Sequence, residues 1–153
     1  MTMSRTTTVS HLIAGAALLL AASASHALDF KSVGAAPAIL YDAPSTKGSK
    51  LFVAPRGMPV EIVLSYGDWV KVRDAGGDLA WAEARALSPK RTVVVKTASA
   101  KVRTAADDNS PLAFTADKGV LLDLVEVAAG GWIKVRHRDG ATGFVKSSDI
   151  WGN

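Results

Sequence analysis

The stretch that decides the fold is Gly67–Arg73, which reads GDWVKVR. A second copy, GGWIKVR, occupies Gly130–Arg136, an offset of 130 − 67 = 63 residues. A repeat of this length is typical of duplicated structural units. In each copy, glycine precedes a tryptophan and then alternating β-branched and charged residues, a pattern that predicts a turn leading into a strand. The chain is therefore expected to contain two related all-β halves.

Alternation along the repeated strand predicts which side chains face the core. Val70 and Val72 share one side, and Trp69 and Lys71 share the other. Lysine rarely enters a core without a partner, so the valines are predicted to point inward. The same alternation in the second copy places Trp132 on the outer side.

The outer position of Trp69 and Trp132 leaves two alternatives. Each indole could pack as a lid under a neighbouring loop, near Tyr41 in the first half and near Thr104 in the second. Alternatively, each could stay partly open and stack against a ligand, for which tryptophan is well suited.

The remaining residues predict about five short strands in each half and no helix longer than a turn. For example, Met58, Val60, Ile62 and Leu64 share one parity and Glu61 lies on the other, which predicts a half-buried strand with the apolar parity facing inward. Such strands, separated by glycine-rich turns, favour two tandem small all-β barrels or sandwiches. The predicted domains are residues 28–88 and residues 89–153.

The first 27 residues are predicted to be a secretory signal peptide. Arg5 gives a positive start, Leu12–Ala22 is apolar or small, and Ser25–Ala27 forms an A-x-A-like cleavage site. The alternative is a membrane anchor, but the apolar run is short for a bilayer span. The prediction is an exported protein, periplasmic or secreted, with no stable membrane insertion after cleavage.

Composition excludes several classes of function. Without Arg5 the chain has 18 − 1 = 17 basic and 14 acidic residues, a net charge of +3. This mild charge gives little support to nucleic-acid binding, and no nucleic-acid partner is predicted. There are no cysteines, so the fold has no disulfide, thiol nucleophile or thiolate metal site.

The order of these elements resembles the bacterial SH3 family, particularly the tandem SH3-like domains of exported proteins in Gram-negative bacteria. The residues that carry the resemblance, besides the repeated stretch, are Tyr41–Pro44, Arg56–Gly57, Ala80–Ala82, Lys101–Arg103, Lys118–Gly119 and Asp139–Val145. The resemblance implies an SH3-like five-stranded barrel in each half. It also implies binding as the usual activity, commonly of cell-wall peptide or of a partner protein.

Aromatic residues are the predicted ligand-binding groups. Tyr41, Trp69 and Trp81 are expected to line one shallow groove, and Trp132 and Phe144 a poorer second groove. The second is poorer because that half lacks the Asp-Ala-Pro loop. An aromatic groove suits an extended peptide.

The sequence predicts no catalytic residue, metal site or cofactor. His137 is the only histidine beyond the signal peptide and is interpreted as a solvated turn residue. Asp107 and Asp108 are adjacent and point apart on an extended chain, which disfavours an acid/base pair. No metal-ligand spacing or phosphate-binding glycine loop is present.

A small basic stripe, Lys134, Arg136 and Arg138, shares one strand face. Its default interpretation is a solvated surface, and the alternative is a receptor for a carboxylate or an anionic wall polymer.

Three functional hypotheses follow. The first is a non-catalytic exported module that recognises a cell-wall peptide or an envelope protein through its aromatic faces. The second is a structural or accessory subunit of an envelope complex without a small ligand, favoured if Trp69 and Trp132 are buried against each other. The third is a cell-wall hydrolase dependent on His137, which fits the compartment and not the residues.

Overall fold

The computed structural model describes residues 27–153. They form two antiparallel sheets of seven strands each, and this part of the chain contains no α-helix, which confirms the all-β prediction. The predicted signal peptide, residues 1–27, lies outside the described residues except for Ala27. Within the described range, no helical segment has the length and hydropathy needed to cross a bilayer.

The first sheet contains strands β1 to β7. In chain order they are Phe30–Val33, Ala38–Tyr41, Lys50–Ala54, Pro59–Tyr66, Trp69–Arg73, Leu79–Glu83 and Leu87–Ser88. Their order across the sheet is β3-β2-β6-β5-β4-β1-β7. We call this first sheet and its loops the first unit.

The second sheet contains strands β8 to β14. In chain order they are Thr92–Val95, Ser99–Arg103, Leu112–Asp117, Leu121–Val127, Trp132–Arg136, Thr142–Lys146 and Ile150–Trp151. Their order is β10-β9-β13-β12-β11-β8-β14, which repeats the first sheet strand for strand. This is the second unit, and the duplication predicted from the repeated stretch is therefore present in the topology.

Each sheet has more strands than the five predicted. In the first unit, β1 pairs with both β4 and β7. Strands β7 and β14 have only two residues each, too few to produce an alternating pattern. These short strands extend the sheets without a signal that sequence periodicity can detect.

The predicted parity of the repeated strand is confirmed. Val70 and Val72 of β5 are buried in the first core, and Ile133 and Val135 of β12 are buried in the second. The inward side chains on both strands are β-branched, which suits packing on a pleated surface.

Alternation fails at Leu64, near the end of β4. The sequence predicts that Leu64 faces inward with Val60 and Ile62, but Leu64 is 45% exposed. The register between β4 and β5 shifts between Ile62 and Leu64, which marks a β-bulge. A bulge inserts one unpaired residue and so reverses the facing of the side chains beyond it.

The two units meet through an aromatic pair that the sequence does not reveal. Phe30 of β1 packs edge-on against Trp151 of β14, with ring centroids 5.0 Å apart and an interplanar angle of 86°. The Arg91 guanidinium lies over the Phe30 ring, 5.4 Å from its centroid. Phe30 is buried as a result.

Polar contacts complete this inter-unit interface. Thr92 Oγ1 donates a 2.7 Å hydrogen bond to the Gly57 carbonyl, and Ser32 Oγ donates one of 2.8 Å to the Lys90 carbonyl. Gly152 sits at φ +109°, where an added Cβ would stand 3.0 Å from Pro59 Cβ of the first unit. Only glycine allows the chain after β14 to approach the first unit this closely.

Replacing Phe30 by alanine tests the contribution of the interface to stability. Phe30→Ala is expected to lower the free energy of unfolding by about 3 kcal/mol, because it removes a buried aromatic ring that both units contact. Urea denaturation followed by tryptophan fluorescence measures this change. The control is Tyr66→Ala, whose ring is 67% exposed and whose removal should cost within about 0.5 kcal/mol. Equal losses in the two variants would contradict the role given to Phe30.

Candidate functional site

The structure brings together the three aromatic residues predicted for the first groove. Tyr41 lies opposite Trp81 in the β2–β6 register, and its ring contacts Trp69 edge-on at 5.5 Å. Tyr41 is only 5% exposed, while Trp69 and Trp81 are half-buried. Lys71 Nζ lies 5.9 Å from the Trp81 ring centroid. This cluster is largely covered, so it presents little open aromatic surface.

The two aromatic residues predicted for the second groove are each covered by a lysine. Trp132 is 8% exposed, and Lys146 Nζ lies 5.6 Å from its ring centroid. Phe144 is half-buried, and Lys134 Nζ lies 5.9 Å from its ring centroid. The lid alternative therefore describes Trp132, which lies beneath Lys146, and Lys146 in turn pairs with Asp108 of the loop that begins at Thr104. A binding role for the five predicted aromatic residues stays a prediction.

Trp69 and Trp132 do not pack against each other, since Trp69 contacts Tyr41 and Trp132 lies beneath Lys146. The aromatic contact between the units is made by Phe30 and Trp151. The observation that would have favoured the accessory-subunit hypothesis is therefore not met.

A wide cleft lies between the two units. It has a volume of about 970 Å³ and is open to solvent. Its charged lining consists of Arg56 from the first unit, Lys90 from the linker, and Asp123, Arg136 and Arg138 from the second unit. We call this feature the inter-unit cleft.

The first unit positions Arg56 through a tight turn between β3 and β4. Gly57, the next residue, adopts φ +79°, a left-handed conformation that favours glycine. Its N–H donates a 2.9 Å hydrogen bond to the Val33 carbonyl, and its carbonyl accepts the bond from Thr92. The turn is thereby tied to both units, and Arg56 is held at the rim of the cleft.

The second unit positions its arginines on the β12–β13 hairpin. His137 Nδ1 lies 3.0 Å from Asp139 Oδ1, and the same oxygen accepts a 2.9 Å hydrogen bond from the Ala141 N–H. The pKa of the Asp139 carboxyl is lowered, first by the Ala141 N–H and then by the His137 side chain. His137 is half-buried and paired, where the sequence predicted a solvated turn residue.

Positive charge predominates in the cleft. Asp123 is its only carboxylate; it pairs with Lys90 Nζ at 2.9 Å and more loosely with Arg136 Nη2 at 3.7 Å. Arg56 and Arg138 form no ion pair with any acidic side chain of the described residues. The cleft therefore has cationic groups available for an external anion.

The basic stripe predicted from the sequence is divided by the fold. Arg136 and Arg138 line the cleft, whereas Lys134 lies over Phe144. The sequence could not show that Arg56 and Lys90 join them, because these residues are distant along the chain.

The described residues contain no group of three or more histidine, aspartate or glutamate side chains arranged to hold a metal ion. The adjacent carboxylates of Asp107 and Asp108 have different partners. Asp107 Oδ1 accepts a 2.8 Å hydrogen bond from the Asn109 N–H, and Asp108 pairs with Lys146 at 2.7 Å. This arrangement is that of loop carboxylates with local structural partners.

Comparison with known families gives the same match twice. The sequence profile of the bacterial SH3 domain matches residues 34–89 and again residues 96–152. The two matches correspond to the two sheets and confirm the tandem resemblance seen in the sequence. No curated protein sequence matches the chain.

Three similar solved structures have NlpC or NlpC/P60 in their names. NlpC2 and NlpC1 of Trichomonas vaginalis align with TM-scores of 0.38 each, at 11% and 12% identity, over 83% and 92% of this chain. An NlpC/P60 family protein of Bacillus cereus aligns with a TM-score of 0.37, at 15% identity, over 79% of this chain. The chain spans about half the length of these structures, namely 49%, 51% and 55%.

The function predicted from the sequence is a non-catalytic module that uses aromatic faces, with a cell-wall hydrolase as the least favoured alternative. It is wrong in that form, because Tyr41 and Trp132 are buried and leave little open aromatic surface for the predicted grooves.

The Asp139 carboxyl provides a test of the hairpin geometry. Its folded-state pKa is expected below the unfolded value, so its stabilising contribution is complete above the unfolded pKa and is lost as the pH falls through the folded pKa. His137→Ala should reverse only part of the shift, because the Ala141 N–H remains. Titration of the carboxyl carbon by NMR measures both values. Loss of the whole shift in His137→Ala would contradict the leading role of the backbone donor.

Proposed function

Because the chain belongs to the bacterial SH3 domain family, we propose that its two units jointly bind a carboxylate-bearing polymer of the bacterial cell wall. The observation that carries the proposal is the inter-unit cleft, which has four cationic side chains and one carboxylate. Neither unit forms this site alone, since Arg56 and Arg138 come from different units. The proposal assigns binding to these residues and no bond-breaking step.

The chemistry of the cleft suits a carboxylate ligand. A guanidinium presents a planar fork of N–H donors that can hold a carboxylate through two parallel hydrogen bonds. Arg56 and Arg138 have no competing ion pair among the described side chains, so a ligand carboxylate would not have to displace one. Each exposed contact of this kind is weak, and affinity would come from several contacts along the polymer.

The compartment is part of the same proposal. We propose that residues 1–27 are a cleaved signal peptide and that the protein works in the periplasm or outside the cell, where it meets the cell wall. We also propose that each sheet curls into an SH3-like barrel. In support, the first core draws Val33, Leu40, Val60 and Val72 from four different strands into one cluster.

Charge reversal in the cleft tests the proposal. The double variant Arg56→Glu, Arg138→Glu should bind purified peptidoglycan sacculi about tenfold more weakly than the wild type, because two attractions become repulsions. Binding is measured by co-sedimentation over a range of salt concentrations. Wild-type binding should also decrease as salt rises, since exposed charges are screened.

A matched control separates the cleft from overall charge. Lys96→Glu, Lys101→Glu changes the net charge by the same amount at exposed positions outside the cleft and should bind nearly as the wild type does. Sacculi with carboxyls neutralised by amidation should bind weakly to both the wild type and the control. Equal weakening in the two double variants, or undiminished binding to amidated sacculi, would rule out the cleft as a carboxylate site.

A further inference from the structure

Strand β3 forms one edge of the first sheet and carries three consecutive exposed apolar side chains. Leu51, Phe52 and Val53 are 55%, 50% and 61% exposed, respectively. Among the described residues β3 pairs only with β2, so its other side presents unpaired backbone donors and acceptors. An exposed apolar edge of this kind is a template for pairing with another chain, and natural proteins usually protect it.

The second unit protects the equivalent edge. Registers against β2 and β9 align Val53 with Thr115 and Leu51 with Ala113. The only large apolar side chain of β10 that is strongly exposed is Leu112. Both edges contain a bulge at the corresponding place, so geometry does not distinguish them. The difference is chemical: the exposed Leu51 and Val53 of β3 are replaced in β10 by a small and a polar side chain, respectively.

Charge distinguishes the two edges as well. Residues 43–60, which include β3, contain Lys47, Lys50 and Arg56 and no aspartate or glutamate. The corresponding residues 105–122 contain three aspartates and one lysine. The three cations around β3 form no ion pair with any described acidic side chain. The β3 edge is therefore both apolar and basic.

A small apolar cavity lies at the end of this edge. It has a volume of about 230 Å³, and its lining includes Phe52 and Met58 from the first unit and Leu121 from the second. Phe52 lies opposite the buried Leu40 in the register, so its ring is on the core side of the sheet and leads into the cavity. The cavity is large enough to accept one apolar side chain of a neighbouring strand.

We propose that β3 binds an extended segment of a partner protein by strand addition, and that this segment has a short apolar centre flanked by acidic residues. Backbone hydrogen bonds to the free edge would provide much of the affinity, and alternate side chains would provide specificity. Apolar side chains would cover Val53 and enter the cavity beside Phe52. Acidic side chains would pair with Lys47, Lys50 and Arg56.

Charge argues against a second copy of β3 as the occupant. Pairing two β3 edges would bring two sets of Lys47, Lys50 and Arg56 together without an intervening acidic side chain. Like charges placed opposite each other on neighbouring strands are destabilising. An acidic partner strand meets the same edge with complementary charge.

The test uses a fluorescein-labelled synthetic peptide of about seven residues, with a central run of valines flanked by glutamates at both ends, a length that matches a typical strand. Fluorescence anisotropy with the purified protein should give a Kd below about 1 mM. Two further peptides isolate the two parts of the recognition. Replacement of glutamate by lysine should abolish binding, because the charges become repulsive, and N-methylation of alternate backbone nitrogens should abolish it, because main-chain donors are lost.

Matched variants locate the binding edge. Val53→Lys should weaken binding by about tenfold, as expected for a residue at the centre of a small interface. Thr115→Lys, at the equivalent position of β10, should leave binding unchanged. Circular dichroism checks that both variants remain folded. Val53 does not line the inter-unit cleft, so this result is independent of sacculus binding.

Several outcomes would overturn the proposal. These are absence of binding below about 1 mM, equal binding of the N-methylated peptide, or equal weakening by Thr115→Lys and Val53→Lys. A dimer in analytical ultracentrifugation that Val53→Lys dissociates would show that the edge is occupied by a second copy of the chain, which also contradicts the proposal.

Discussion

The rest of the structure depends on the alternation of inward β-branched and outward charged or aromatic side chains along β5 and β12. It builds two small cores, of nine buried residues in the first unit and ten in the second. Most of these residues are valine or alanine, so each core buries modest apolar surface per residue. Units of about 60 residues are marginal by themselves on this basis. The contact between Phe30 and Trp151 adds aromatic burial that neither core contains.

The same contact determines the geometry of the inter-unit cleft. Arg56 belongs to a turn of the first unit and Arg138 to a hairpin of the second, so their separation is set by how the units pack. The hydrogen bond from Thr92 to the Gly57 carbonyl joins the turn that bears Arg56 directly to the first strand of the second unit. Stability and the proposed binding surface therefore depend on one interface, which provides a physical reason for the units to act as a pair.

Much of the fold could be predicted from the sequence because local alternation carries the information. The repeated strand, its inward valines and the order of the duplicated strands depend on neighbours within a few residues. Alternation could not locate the bulge before Leu64, since a bulge leaves no signal in the pattern of residue types. Alternation along β4 also predicts that Glu61 lies on the outer side. In the structure Glu61 is buried and paired with Arg73 at 2.8 Å.

Less of the candidate site could be predicted, for a related reason. The proximity of Tyr41, Trp69 and Trp81 follows from strand order and was expected, but their burial depends on side chains packed above them. The cleft joins residues from both units, and no periodicity within one unit encodes the packing between units. Arg136 and Arg138 were recognisable as a basic pair, whereas the contribution of Arg56 required the tertiary structure.

Differences between the duplicated units are most informative where packing does not constrain them. Core positions of the two units hold similar residues because each sheet must bury a β-branched face. Val53 and Thr115 occupy equivalent outer positions on edge strands, and both are exposed, so either side chain would satisfy the core. The polar Thr115 disfavours unwanted pairing of β10 with another strand, whereas the apolar Val53 leaves β3 able to pair. Fold stability does not explain the exposed valine, and an interaction at the β3 edge does.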